Sequence, residues 1–219
     1  MASEVSICNL ALSHLGDAAT VSSIDPPEGS AQAEHCAQFY PIARDSLLEM
    51  HDWKFSLRRT LPVQVTSEST MWQYAYSKPS DALRILQVIP SDATDDNNNL
   101  LWSSDLDGYV PSGSYTTQPF KVELYSDGNE VIYTDQSIAL LRYTKRVTDP
   151  SKFSPIFILA LSYHLASMLA GPVLKGETAI AANAKMLQAM GYWLAKASTS
   201  DANQSQSSKT HVVGWMAAR

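Results

Sequence analysis

The chain has 219 residues, of which 45% are hydrophobic and 17% are charged, and its formal net charge at pH 7 is −6. The ordinary hydrophobic content excludes global disorder, and the length suits one large domain or one domain with an insertion. The acidic balance argues against a general nucleic-acid binder, which would present a basic face. The charged fraction is below the roughly 25% of a typical soluble domain. This fits a subunit whose surface is largely buried by partner proteins, although uncharged polar residues (Ser, Thr, Asn and Gln) can also take the place of charged ones on an exposed surface.

Helical periodicity occupies residues 5–50. Ser3 is placed to cap a first helix that Gly16 ends, and Ser30 is placed to cap a second, longer helix. Pro41 falls inside the second helix and predicts a kink or a division into two helices. The opening residues lack a basic segment followed by an apolar run, so we expect no secretory signal.

Strand-like patterns follow from residue 54. Segments 54–58 and 61–65 are predicted to be extended, and Pro62 suggests an edge strand. Segments 74–76, 83–89 and 138–147 are further strand candidates. The clearest feature is a hairpin over residues 120–133, because Asp127 and Gly128 form a turn between two alternating runs.

Three aromatic residues of this region alternate along the chain and are predicted to share one face of the sheet. They are Trp72, Tyr74 and Tyr76. Such a face packs into a core in most proteins, and the alternative is a surface for carbohydrate or protein.

Helical periodicity returns at Pro155, which suits the first turn of a helix, and Gly171-Pro172 is predicted to stop that helix. The apolar run at 156–170 is shorter than a bilayer span and predicts a buried helix. A last helix is predicted over residues 177–197. Its buried stripe is predicted to be Ile180, Ala184, Leu187, Met190 and Leu194.

Neither helical region can bury its apolar face alone, so the two are expected to pack together. The sequence therefore predicts an α+β protein built around a discontinuous helical bundle, formed by residues 1–53 and 150–198. A mainly antiparallel β domain, residues 54–149, is inserted between them. Residues 199–219 are predicted to form an extended C-terminal tail.

The tail is dominated at first by Ser, Gln and Asn, which offer no apolar surface to offset the entropy of ordering. Its end carries an apolar group that could anchor a partner, with Trp215 as the expected hot spot. The group consists of Val212, Val213, Trp215 and Met216. The alternative is a tail that folds back on its own bundle or is frayed. We expect removal of residues 200–219 to leave the stability of the isolated subunit almost unchanged.

A stretch without lysine or arginine lies between Pro90 and Pro119. Its carboxylates are Asp92, Asp95, Asp96, Asp105 and Asp107. The simplest interpretation is a solvated loop. The alternative is an acidic surface that meets a basic partner or lets DNA pass without sticking.

The sequence offers no catalytic signature. None of the five histidines lies in a known catalytic pattern, and His164, in the most apolar helix, is expected to be a hydrogen-bonded core or interface residue. Cys8 and Cys36 are expected to be buried, reduced thiols. Their spacing to histidine matches no zinc pattern, and glycine is too scarce for a phosphate loop. We therefore expect no enzyme activity, no cofactor and no metal.

Four stretches in order resemble one known family. They are ICNLALSHLG at 7–16, ARDSLLEMHDWKFSLRR at 43–59, YAYSKPSDALR at 74–84 and TDPSKFSP at 148–155. Together they resemble the head-to-tail adaptor, or tail tubular protein A, of short-tailed bacteriophages. The likeness spans about residues 5–198, and no single stretch is diagnostic by itself.

The resemblance implies a non-enzymatic virion protein, assembled in the bacterial cytoplasm, that forms a ring of typically twelve copies. The ring would bind the portal protein on one side and the tail nozzle on the other, with DNA passing through its channel and no membrane involved. The C-terminal tail would then bind the portal. The acidic stretch and the hairpin tip, Asp127 and Gly128, would face the nozzle. The alternatives are a carbohydrate-binding or adhesion module of a phage tail, and a cell-wall hydrolase carried by a tail.

Overall fold

The computed structural model describes residues 2–18, 20–90 and 118–204. Within these ranges the chain forms four α-helices, seven strands and a short 3₁₀ helix, and its fold class is α+β, as predicted. The helices are α1 (Glu4–His14), α2 (Ala31–Glu49), α3 (Pro155–Leu174) and α4 (Gly176–Ala202), and the 3₁₀ helix is Pro150–Lys152. The strands are β1 (Leu57–Thr60), β2 (Gln64–Val65), β3 (Tyr74–Ser77), β4 (Ala82–Pro90), β5 (Phe120–Leu124), β6 (Glu130–Thr134) and β7 (Ala139–Lys145).

Serine side chains cap the starts of three helices, and the sequence predicts two of these caps, Ser3 and Ser30. Ser3 and Ser6 form a reciprocal capping box at the start of α1. Ser30 caps α2 and Ser154 caps α3, in each case by accepting a backbone N–H from the first turn. Pro155 occupies the first turn of α3, where its missing N–H removes no helical bond.

The predicted break at Gly171-Pro172 is wrong, and so is one of the two alternatives predicted for Pro41, the division of its helix. Helix α2 runs without division through Pro41, and α3 continues through Gly171-Pro172 as far as Leu174. Pro41 lies on the exposed side of α2, where water can bond the carbonyl that proline leaves without a partner. The chain turns instead at Lys175 and Gly176, which both have positive φ.

The four helices form a bundle around α3. Helices α1 and α2 pack on α3, and α4 packs mainly along α3 after the short turn. One hydrophobic core unites residues from both ends of the chain, including Leu12, Leu47 and Leu165. The helices before and after the strands therefore pack together, as predicted.

Helix α3 is buried by its neighbours. Among the described residues it is the one helix long and apolar enough to suit a membrane, but 56% of its most apolar window is already buried inside the protein. A central bundle helix has this property. Its twenty residues make it longer than the predicted apolar run.

The strands form two antiparallel sheets, with strand orders β1-β7-β4 and β2-β3-β6-β5. Strand β2 is an edge strand, as Pro62 predicts. A second core lies between the sheets, with Val88 and Leu141 from one sheet and Tyr76 and Ile132 from the other. Residues 54–56 are not extended as predicted, because Ser56 N–H donates to the Trp53 carbonyl in a turn before β1.

An aromatic cluster joins the bundle to the first sheet. Trp53 is fully buried, and its ring centroid lies 4.9 Å from that of Phe157 in an edge-to-face arrangement. Phe55 contacts Phe153 and Phe157 at centroid distances of 5.6 and 5.2 Å. The Trp53 indole N–H donates to the Leu47 carbonyl at 2.9 Å, which satisfies its polar atom inside the core.

Candidate functional site

Most of the predicted partner-binding residues lie outside the described ranges. This applies to the tail residues Val212, Val213, Trp215 and Met216, and to the acidic residues Asp92, Asp95, Asp96, Asp105 and Asp107. Of the predicted nozzle-facing region, the structure describes the hairpin tip, Asp127 and Gly128.

The hairpin tip is exposed and held in one geometry. Gly128 has φ of +84°, a conformation that other residues adopt only with strain, and its N–H donates to the Tyr125 carbonyl at 2.9 Å. The Asp127 carboxylate accepts the backbone and side-chain N–H groups of Asn129, each at 2.9 Å, and these bonds lower its pKa. Asp127 therefore remains a fixed negative charge at the tip.

A neighbouring segment holds the hairpin in place. The Glu68 carboxylate accepts hydrogen bonds from the backbone and side chain of Ser126, and the Tyr125 hydroxyl donates to the Thr66 carbonyl at 3.0 Å. Leu124, next to the tip, is 74% exposed. The hairpin tip thus exposes carboxylates and one apolar side chain, and hydrogen bonds to the neighbouring segment hold it in place.

The predicted tail begins too early. Helix α4 continues to Ala202, so residues 199–202 belong to the bundle and not to a tail. Asp201 is 4% exposed, and both of its carboxylate oxygens accept the backbone N–H of Lys54 at 3.1 Å. His51 Nε2 lies 3.4 Å from the same carboxylate. We call this group, Asp201 with Lys54 and His51, the Asp201 anchor.

Two serine–histidine pairs join α3 to its neighbours. Ser46 Oγ lies 2.9 Å from His164 Nε2, and Ser162 Oγ lies 3.1 Å from His14 Nε2. The Ser46 hydroxyl also donates to the Ala43 carbonyl, and buried His164 Nδ1 has no hydrogen-bond partner among the described residues. A catalytic triad needs an acid on that nitrogen and a free hydroxyl. The Ser46–His164 pair therefore has the geometry of a helix-packing contact, as expected for His164.

These histidines make stability depend on pH. Burial lowers the pKa of His164 below its ordinary value of 6.5, and burial shifts His14 in the same direction. The unfolded chain then binds more protons at mildly acidic pH, so we expect the free energy of unfolding to fall as pH drops below about 6.5. The slope from His164 is at most about 1.4 kcal/mol per pH unit, and it ends once the folded residue also protonates.

Urea denaturation between about pH 7.5 and pH 5 measures this effect. The His164→Gln variant keeps a polar side chain that does not titrate, so its stability should fall less steeply than that of the wild type. Equal slopes for the two proteins would show that His164 is not the titrating group.

The two cysteines are buried free thiols, as the sequence predicts. Cys8 of α1 and Cys36 of α2 share a hydrogen bond, which together with burial raises the pKa of the Cys8 thiol. A thiol with a raised pKa is a poor nucleophile. Within the described ranges no three His, Cys, Asp or Glu side chains are grouped so that they could hold a metal ion.

The predicted aromatic face is wrong for one of its three residues. Tyr74 and Tyr76 face the core between the two sheets, whereas Trp72 packs with Ala75 and Tyr133 on the opposite side of the second sheet. Trp72 precedes β3, so the alternation assumed for a strand does not apply to it. The three rings therefore do not form the shared surface that the alternative interpretation, a contact with carbohydrate or protein, requires.

The buried stripe of α4 is also partly wrong. Met190 and Leu194 face the core with Ala179, Met186 and Ala197, but three other members of the predicted stripe are exposed. These are Ile180, Ala184 and Leu187. We define the α4 outer face by its large and charged exposed residues: Ile180, Lys185, Leu187, Tyr192 and Lys196.

Helix α2 presents a second outer face, which is apolar and acidic. Ile42 is 55% exposed at its centre, and the face carries no lysine or arginine. We define the α2 outer face as Glu34, Gln38, Pro41, Ile42 and Glu49. Sequence reasoning did not identify either of these two exposed faces.

No protein-family model matches the chain, and no curated protein matches it.

Proposed function

We propose that this chain is a subunit of the head-to-tail adaptor ring of a short-tailed bacteriophage. In this role it joins the portal protein to the tail nozzle in the virion, and DNA passes through the ring without specific binding. The proposal rests first on the resemblance of the four sequence stretches.

One structural observation carries the proposal furthest: two of these stretches, far apart in sequence, meet in space. Trp53 and Phe55 come from stretch 43–59, Phe153 comes from stretch 148–155, and their rings form the cluster that joins bundle and sheet. The third stretch, 74–84, reaches the same junction, because the Asp81 carboxylate lies 3.6 Å from Arg58. Three of the four stretches that carry the resemblance therefore contact one another at a single junction of the fold.

The polar pairs inside the bundle support a structural role. Ser46 with His164, and Ser162 with His14, hold helices together and offer no activated nucleophile. The α2 and α4 outer faces supply exposed apolar side chains for contact with other subunits.

We assign the hairpin tip to the nozzle-facing side. Its carboxylates at Asp127 and Glu68 suit a basic partner surface, and its bracing reduces the entropy lost on binding. The acidic residues from Asp92 to Asp107 belong to the same proposed side, and the tail with Trp215 is proposed to bind the portal. The net charge of −6 favours a channel that does not bind DNA tightly, because tight binding requires lysine or arginine contacts with phosphates that release counterions.

Electron microscopy of the purified protein, alone and mixed with the portal protein of the same phage, tests the proposal. We expect closed rings that stack coaxially on the portal. A glycan array and a cell-wall zymogram test the two alternatives. A chain that forms no ring in either sample would refute the adaptor function, and so would a clear signal in the array or the zymogram without portal binding.

A further inference from the structure

The α4 outer face is unusual for a surface helix. Ile180 is 73% exposed, Tyr192 is 58% exposed and Leu187 is 42% exposed. On the helix surface, Ala184, Gly191 and Ala195 lie between the edge with Ile180 and Leu187 and the edge with Tyr192. These residues are small and let another helix approach closely. A solvated helix normally places charged or polar residues on this side.

The charges of the α4 outer face are basic in an acidic protein. Lys185 and Lys196 are exposed and make no ion pair with a described residue, and the Lys196 ammonium lies over the Tyr192 ring at 5.6 Å. Between Glu177 and the buried Asp201, α4 has no carboxylate. Partner contact at this face therefore favours an acidic surface.

The α2 outer face is the acidic counterpart. Glu34 and Glu49 are exposed and form no ion pair within the described ranges, whereas Arg44, the one lysine or arginine of α2, is buried beside Asp45. Glu34 and Glu49 are about 22 Å apart along the helix axis, and Ile42 lies between them. The two lysines of α4 are about 16 Å apart along the helix axis and lie on one edge of the α4 outer face, while Leu187 lies on the opposite edge. The long lysine side chains can span the difference from the roughly 22 Å between the glutamates.

We propose that the α4 outer face of one copy docks against the α2 outer face of a second copy. This inference rests on the proposed adaptor function and names the contact between its subunits. The two faces differ, and α2 and α4 each pack on α3 rather than along each other. A contact between two different faces repeats from copy to copy and closes into a ring when the rotation permits.

Charge reversal tests the contact. The variants are Lys185→Glu with Lys196→Glu, which reverses α4, and Glu34→Lys with Glu49→Lys, which reverses α2. We expect each double variant alone to assemble at least about tenfold more weakly than the wild type, because attraction becomes repulsion at every interface. A one-to-one mixture should assemble again, with the two variants alternating around the ring.

Native mass spectrometry and sedimentation over a concentration series give the readout, because an alternating ring contains equal numbers of both variants. Circular dichroism verifies that each variant is folded. A matched control, Lys121→Glu with Lys152→Glu, makes the same change in net charge away from α4 and should assemble like the wild type.

The outcomes separate this inference from the adaptor function. Rings that form equally well from both charge-reversed variants would overturn the contact and leave the adaptor function standing. A mixture of folded variants that does not assemble would also overturn the contact. Assembly by the chain truncated after Gln204, but not by the full chain, would overturn the contact in the full chain, because the chain's own C-terminal segment would then cover the face. A wild type that forms no ring, alone or on the portal, contradicts both proposals.

Discussion

Replacing Trp53 by alanine should lower the free energy of unfolding by about 3–5 kcal/mol, the largest effect we expect from one substitution. Trp53 is fully buried, contacts Phe55 and Phe157, and donates its indole N–H to the Leu47 carbonyl. Alanine leaves a large cavity where the bundle meets the first sheet and removes the donor of that buried hydrogen bond. Urea denaturation followed by circular dichroism measures the change.

Two further variants interpret the result. Trp53→Phe keeps an aromatic ring but loses the indole N–H, so its loss should lie between those of the wild type and the alanine variant. Met71→Ala removes a side chain that is 86% exposed, and its effect should stay within about 0.5 kcal/mol. A Trp53→Ala loss no larger than that of Met71→Ala would mean that the junction cluster does not stabilise the protein.

Truncation after Thr199 should destabilise the isolated subunit by about 2–3 kcal/mol, because it removes the Asp201 anchor. The carboxylate of Asp201 satisfies the Lys54 N–H, which would otherwise remain in a partly buried position without its acceptor. This expectation replaces the one from sequence alone, which treated residues 200–219 as dispensable. Thermal and urea unfolding of the truncated chain measure the effect.

The decisive comparison is truncation after Gln204, which keeps the whole of α4 and should change the stability by less than about 0.5 kcal/mol. In the full chain, Asp201→Ala should reproduce the loss seen after truncation at Thr199, and Ser200→Ala, at an exposed neighbour, should not. A loss of several kcal/mol in the chain that ends at Gln204 would instead place residues such as Trp215 in the protein's own core.

The sequence correctly predicted those features that depend on hydrogen bonds between residues close together in the chain. The capping serines Ser3 and Ser30, and the turn at Asp127-Gly128, each depend on contacts within a few residues. Proline was a weaker guide. Pro41 and Pro172 each remove a helical hydrogen bond and crowd the carbonyl of the preceding turn, and the packing of α2 and α3 on the bundle outweighs that cost.

Tertiary contacts explain what could not be predicted. Helix α4 is so rich in alanine that several faces look equally suitable for burial, and the structure selects the one with Met186 and not the one with Ile180. Asp201 lies among Ser, Thr, Asn and Gln, a composition typical of a tail, and only its contact with Lys54 shows that it belongs to the fold. Trp72 alternates with Tyr74, but no strand extends that far.

The Asp201 anchor also has a consequence for the order of folding. It joins residues 147 positions apart in the chain, so it can form only after the packing of the bundle has brought Lys54 close to the end of α4. A contact of such long range is expected to form late, after the rate-limiting step. Loss of Asp201 should then leave the refolding rate almost unchanged and appear as faster unfolding. The anchor would thus set the lifetime of the folded subunit rather than the speed with which it is made.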